Sequence, residues 1–191
     1  MDETPSRVAP VRTLILVGSV RPGSRTLCAA RHAASVVTEG GNEALLWDLR
    51  RLPLPIADAS YHHNPGEHPD RTVRSLVAAA KRADGFLLCS PVYHNSYSGV
   101  LKNALDCLAI EHFRDKPVGL IVHGPNLTAV QACDHLRIVA RGLYGLCVPE
   151  QVVTTPDDFG AGEDGGSELV GASARQRVED LVHAVVKLGR R

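Results

Sequence analysis

The sequence has no excess of either charge. Lys plus Arg total 21 and Asp plus Glu total 21 in 191 residues, so no net field draws the chain onto nucleic acid or an anionic membrane. Long apolar runs are missing as well. Runs such as residues 14–17 and 118–122 fall far short of the roughly 20 residues a membrane helix needs. The N-terminal residues carry no signal-peptide pattern, and a cytoplasmic protein is expected. The five cysteines, Cys28, Cys89, Cys107, Cys133 and Cys147, form no CxxC pair and stand mostly among apolar neighbours. They read as small buried hydrophobes rather than a redox or zinc site. His62, His63 and His68 share a proline-rich stretch without the Cys or carboxylate spacing of a metal site, so no metal is expected.

Several catalytic and nucleotide motifs are absent too. There is no GxxxxGKS/T loop for a nucleoside triphosphate and no GxGxxG for a dinucleotide pyrophosphate. There is no GxSxG nucleophile elbow. Cys28 lies beyond the first Gly-rich loop, so the phosphatase pattern of a Cys inside a phosphate loop ending in Arg is missing.

What is present is an ordinary globular composition, 44% hydrophobic and 22% charged, enough to bury one core without disulfides or metals. We expect a single domain over residues 1–191, with residues 1–10 as a tail. Strand-like apolar runs alternate with helical periodicity along it. Strands are expected at residues 12–17, 43–48, 85–90, 117–123 and 146–154, and helices at 24–38, 69–82, 99–110, 128–143 and 173–188. Residues 52–69 are too rich in Pro and His for regular structure. The glycine-rich acidic piece 156–171 reads as a mobile loop. Strict strand–helix alternation implies an α/β fold with a parallel sheet covered by helices on both faces.

In such sheets ligands bind beyond the carboxyl ends of the strands, where neighbouring connections diverge. The first such loop, Gly18-Ser19-Val20-Arg21-Pro22-Gly23-Ser24-Arg25-Thr26, opens a helix. It combines hydroxyls, arginines and helix N–H groups, a set suited to a phosphate monoester. An N-capped Gly/Pro turn would carry the same residues. The second, Ser90-Pro91-Val92-Tyr93-His94-Asn95-Ser96-Tyr97-Ser98-Gly99, can lay an aromatic ring and backbone N–H groups against a planar heterocycle. Lys102 just beyond it is expected on the helix surface. The third, His123-Gly124-Pro125-Asn126, either passes close to the same ligand or simply turns the chain.

With these residues in place, the sequence resembles the NADPH-dependent FMN reductase family from residue 12 to about 153. The likeness rests on Gly18-Ser19-x-Arg21-x-x-Ser24 and on Ser90-Pro91-x-Tyr93-x-x-Ser96-x-x-Gly99-x-Leu101-Lys102-Asn103-x-x-Asp106. It implies a flavodoxin-like three-layer α/β/α fold with a five-stranded parallel sheet in the order 2-1-3-4-5. It also implies FMN as cofactor and NADPH or NADH as hydride donor. The implied phosphate-binding residues are Ser19, Arg21, Ser24 and Thr26, with Arg25 in the same loop. The implied ring-binding residues are Pro91, Val92, Tyr93, His94, Asn95 and Ser96, with Gly124 from the third loop. Many members carry a second glycine where this chain has Pro125.

The run Pro91-Val92-Tyr93-x-x-Ser96-Tyr97-Ser98-Gly99 is similar to the reductase component of two-component alkanesulfonate-type monooxygenases. That implies a supply of reduced FMN to a partner monooxygenase. A histidine matching His135 occurs both in such reductases and in chromate- or quinone-reducing members, so it does not separate them. The competing readings are a quinone, azo or chromate reductase with tightly held FMN, and a non-enzymatic electron carrier, whose usual acidity this neutral chain lacks. Hydride transfer between nicotinamide and flavin calls for stacking more than for a protein acid or base, so no catalytic residue is assigned. The family's flavin site lies at a subunit edge, and a homodimer or homotetramer is expected.

Overall fold

Successive side chains on a strand point to opposite faces, and here both faces are apolar. The computed structural model describes residues 9–162 and 166–191. Along the chain run β1 (Arg12–Val17), α1 (Arg25–Glu39), β2 (Glu43–Asp48), α2 (Arg71–Arg82), β3 (Gly85–Tyr93), β4 (Ser96–Tyr97) and α3 (Gly99–Asp106). They are followed by α4 (Ile110–Phe113), β5 (Pro117–His123), α5 (Val130–Gly142), β6 (Leu146–Thr154), β7 (Phe159–Ala161), β8 (Ser167–Leu169) and α6 (Ala172–Gly189). The sheet order is β2-β1-β3-β5-β6, all parallel, with the short β4 antiparallel to β3. Counting only parallel strands, this is the 2-1-3-4-5 order expected from the sequence.

Leu14, Leu16, Phe86, Leu88, Leu120 and Val122 bury against α2, α3 and α5. Ile15, Val17, Leu87, Cys89, Ile121 and Val152 bury against α1 and α6. Burial on both sides is why the strands read as continuous apolar runs rather than alternating ones. The short helix α4 delivers Phe113 to the first face. Its ring stacks on that of Phe86 with centroids 4.0 Å apart and planes 21° apart.

The structure revises several expected boundaries. α2 begins at Arg71 because Asp70 caps it, its Oδ1 accepting from the N–H groups of Thr72 (2.7 Å) and Val73 (3.1 Å). The helix expected over 99–110 stops at Asp106, and α4 follows separately. The one expected over 128–143 starts as a 3-10 turn, Leu127–Ala129, capped by Asn126. Residues 52–69 contain two further 3-10 turns, Ala59–Tyr61 and Pro65–Glu67.

Two loop expectations need correcting. β3 does not end at Ser90 but runs on to Tyr93 and turns back into β4. The stretch 156–171 is not structureless. β7 and β8 pair antiparallel, and the Asp158 carbonyl accepts from the N–H groups of Val170 (2.9 Å) and Gly171 (3.0 Å). Residues 163–165 of that stretch, and 1–8 of the expected tail, lie outside the described residues. Among the described residues no helix is long and apolar enough to cross a membrane.

Candidate functional site

β1 and β3 are neighbours, with Val17 opposite Cys89. The connection after β1 leads to α1 on one face, and that after β3 leads to α3 on the other. A crevice opens where such connections part. Its floor is tied by Gly18, whose N–H donates to the Cys89 carbonyl at 2.8 Å and whose carbonyl accepts from Ser98 Oγ at 2.6 Å. A Cβ on Gly18 would stand 2.7 Å from both Leu101 Cβ and Ser98 Oγ. Only glycine lets the end of β1 lie this close to the start of α3. Ser98 Oγ also caps α3 by accepting from Leu101 N at 3.2 Å, and Ser90 Oγ accepts from Ser98 N at 2.8 Å. One chain of hydroxyls thus joins the two loops.

The cleft above this floor measures about 340 Å³, within the range of small-ligand sites. Ser19, Arg21, Ser24, Arg25 and Thr26 line one side. Ser24 is the N-cap of α1, its Oγ accepting from Leu27 N at 3.1 Å, and the first turn holds no acidic residue. Gly23 makes the turn ahead of it with φ of 61°. Ser19 and Thr26 are largely buried in the wall of the cleft, exposing only a small part of their surface to it. Hydroxyl side chains, two guanidinium groups and a helix N-terminus lining one cleft form a donor set that fits a phosphate monoester.

Pro91, Val92 and Tyr93 make the opposite wall, and His123, Gly124 and Pro125 enter from the end of β5. Nine of the twelve residues expected from the sequence therefore share one cleft: Ser19, Arg21, Ser24, Arg25, Thr26, Pro91, Val92, Tyr93 and Gly124. His94, Asn95 and Ser96 do not line it. His94 and Asn95 have φ of 49° and 62° and form the exposed two-residue turn between β3 and β4. Left-handed conformation at both central positions matches the twist of a hairpin. Ser96 instead bonds His135, Oγ to Nδ1 at 2.9 Å. Lys102 is on the helix surface as expected, paired with Asp106 at 2.6 Å.

Gly124 has a reason that involves no ligand. A Cβ there would stand 2.5 Å from Ala129 Cβ, so the turn leading to α5 needs the glycine for its own packing.

Residues outside the expected set complete the cleft. Pro156 and Ser167 line it, the latter from the β7–β8 hairpin. The Ser167 carbonyl accepts from Cys28 Sγ of α1 at 2.9 Å. Phe159 of β7 meets the His123 ring edge-on at 5.3 Å, and Arg25 lies over the Phe159 ring at 5.8 Å. His123 is half-buried, and its Nδ1 sits 3.1 Å from Thr154 Oγ1. Burial, and then the charge of Arg25, hold its imidazole below the usual histidine range. His123 belonged to a loop noted in the sequence, but its place in the cleft follows only from the register that sets it opposite Pro91.

Comparison with known proteins follows the same lines. Residues 11–159 match the sequence model of the family described as NADPH-dependent FMN reductase. FMN-dependent NADPH-azoreductases from Staphylococcus saprophyticus and Staphylococcus aureus are each 35% identical over 176 residues, spanning 92% of this chain and 94% of the relative. Among solved structures, a flavoenzyme NAD(P)H:(acceptor) oxidoreductase from Paracoccus denitrificans superposes with a TM-score of 0.73 at 20% identity. That match covers 94% of this chain and 97% of the other. A flavodoxin, WrbA-like protein from Agrobacterium tumefaciens gives 0.64 at 16% identity, over 94% and 98%. At these identities the solved structures speak for the fold, which is flavodoxin-like.

Proposed function

The chain belongs to the NADPH-dependent FMN reductase family and is an oxidoreductase that uses FMN and NAD(P)H; from that premise we propose that it holds FMN in the cleft at the start of α1 and reduces small aromatic acceptors of the azo or quinone class. The observation that carries the site is the pairing of a donor cluster, without a carboxylate among the described lining residues, with a wall of Pro91, Val92 and Tyr93. The acceptor class follows the azoreductase activity in the names of relatives that span almost the whole chain.

In this reading the hydroxyls of Ser19 and Thr26, the α1 N-terminus and the guanidinium groups of Arg21 and Arg25 bind the cofactor's phosphate. Pro91 and Val92 exclude water along the opposite wall, and Tyr93, 48% exposed, stands where an aromatic acceptor can stack. When bound, FMN supplies the two-electron chemistry that links nicotinamide to acceptor. The side chains orient and shield.

A second reading rests on the run from Pro91 to Gly99 and its likeness to alkanesulfonate-type reductases. There the product is reduced FMN released to a partner monooxygenase. We also propose a cytoplasmic homodimer or dimer of dimers. Tyr93, Leu127, Val130 and Ile138 are exposed apolar residues on the hairpin and around α5, and a second copy would cover them. Sedimentation showing only monomer at micromolar concentration would contradict the dimer.

Initial rates of NADPH oxidation decide between the acceptors. The desalted protein is titrated with free FMN, with an azo dye or quinone added in a parallel series. A rate that follows the dye or quinone and ignores added FMN supports the proposal. A rate that needs and saturates with free FMN transfers the case to the second reading. No oxidation in either series refutes both.

A further inference from the structure

Among the described residues His123 is the one ring lining the cleft whose protonation can change near neutral pH, and Thr154 and Phe159 hold it on the protein side. Thr154 Oγ1 on β6 lies 3.3 Å from the Val122 carbonyl, to which it donates. Its only proton is thereby committed, so Oγ1 accepts from His123 Nδ1–H across 3.1 Å. The neutral ring then carries its lone pair on Nε2, which has no hydrogen-bond partner among the described residues. Phe159 packs against the ring and fixes its plane.

The charged groups that act on this ring come from two segments. Burial most of all, then Arg25 and least Arg21 from the β1–α1 connection, oppose a second proton. Asp158, from the turn ahead of β7, favours it. The Asp158 carboxylate is already engaged, with Oδ2 accepting from Thr155 N at 2.7 Å and Thr155 Oγ1 at 3.2 Å.

We infer that His123 is the proton-linked member of the phosphate-holding set, neutral when the cleft holds no anion and charged when a phosphomonoester lies against Arg21 and Arg25. The inference rests on the reading that FMN binds here. A phosphate dianion offsets the two guanidinium charges, which removes their opposition to a second proton and leaves the favourable charge of Asp158 acting on the ring. One proton then moves from solvent to Nε2, turning a lone-pair acceptor into a further donor. The same proton leaves when the phosphate leaves. By linkage, FMN binding takes up protons in the window between the lower value of the ring without anion and the higher value with it. The phosphate's own second ionisation, near pH ~6, works in the opposite sense, because arginines favour the dianion.

Comparison of two proteins therefore isolates the histidine. The full chain freed of flavin is titrated calorimetrically with FMN at about pH 6.5 in buffers of different ionisation enthalpy, as wild type and as His123→Gln. The wild type should take up more protons per FMN than the variant, and the difference should vanish when riboflavin, which lacks the phosphate, replaces FMN. Equal uptake by the two proteins, or the same difference with riboflavin, overturns the inference. Should His123→Gln fail to fold, imidazole nitrogen resonances of the wild type give the same answer. The His123 midpoint should rise when FMN is added, and a midpoint that stays or falls overturns it. Arg21→Ala separates the two levels. Unchanged FMN affinity in that variant overturns both the site and the role of His123. Weakened affinity without the proton difference overturns the role of His123 alone.

Discussion

Replacing Gly124 by Ala should destabilise the protein even with no flavin bound. The added Cβ would stand 2.5 Å from Ala129 Cβ, about 1 Å inside ordinary contact. Ala129 is buried at 2% exposure, and its Cβ has no rotamer that can swing away. The backbone of residues 124–129 must move instead, straining the bond from Gly124 N to the Thr154 carbonyl at 3.1 Å. Overpacking of this kind costs about 1–3 kcal/mol. Urea unfolding of the flavin-free protein measures it as a lowered midpoint at unchanged slope. Adding Ala129→Gly removes the clash, and the double variant should be more stable than Gly124→Ala alone, the signature of two coupled neighbours. If Gly124→Ala unfolds at the wild-type midpoint without flavin and loses only FMN affinity, the glycine serves the ligand and the packing argument is wrong.

Other consequences are as specific. Thr13 is buried at 1% exposure and its Oγ1 has no hydrogen-bond partner among the described residues, so Thr13→Val should raise stability by about 1 kcal/mol in the same unfolding assay. Phe113→Ala removes a fully buried ring stacked on Phe86 and should cost about 3–5 kcal/mol. Burial pushes the Asp84 carboxyl up, but hydrogen bonds from the Arg12 side chain and backbone, with the Arg12 charge, hold it below the ordinary 3.8. Its contribution to stability is therefore present above about pH 4 and is lost as pH falls through the lower folded value. Asp84→Asn should flatten that part of the acid limb in a stability-versus-pH series. Tyr93→Leu should change the absorption of bound FMN and the turnover with an azo dye while leaving the thermal midpoint within about 1 °C.

The sheet and the phosphate side of the cleft were legible because each rests on local sequence. Strands buried on both faces show as apolar runs such as residues 12–17 and 117–123. Ser24 is a helix cap whichever fold surrounds it. The β3–β4 hairpin was not legible. Pro91 reads as a strand breaker, and His94-Asn95 lacks the Asn-Gly signal of a tight hairpin turn, yet β3 runs through Pro91 beside β5. The short strands β7 and β8 lie in glycine-rich sequence and gain their burial from Phe159 against His123 and from Leu169 in the core. Such tertiary contacts leave no periodicity to read. The same holds for His123, whose position in the cleft depends on strand register.

The most direct test of the account is the affinity of FMN and of riboflavin for the wild type and for Arg21→Ala, read by flavin fluorescence. Arg21 lines the cleft beside the N-terminus of α1, so its loss should weaken FMN by about 1.5–3 kcal/mol, roughly 10- to 150-fold, and leave riboflavin unchanged. Equal losses for both flavins, or no loss for either, would contradict the assignment of the phosphate to this end of the cleft.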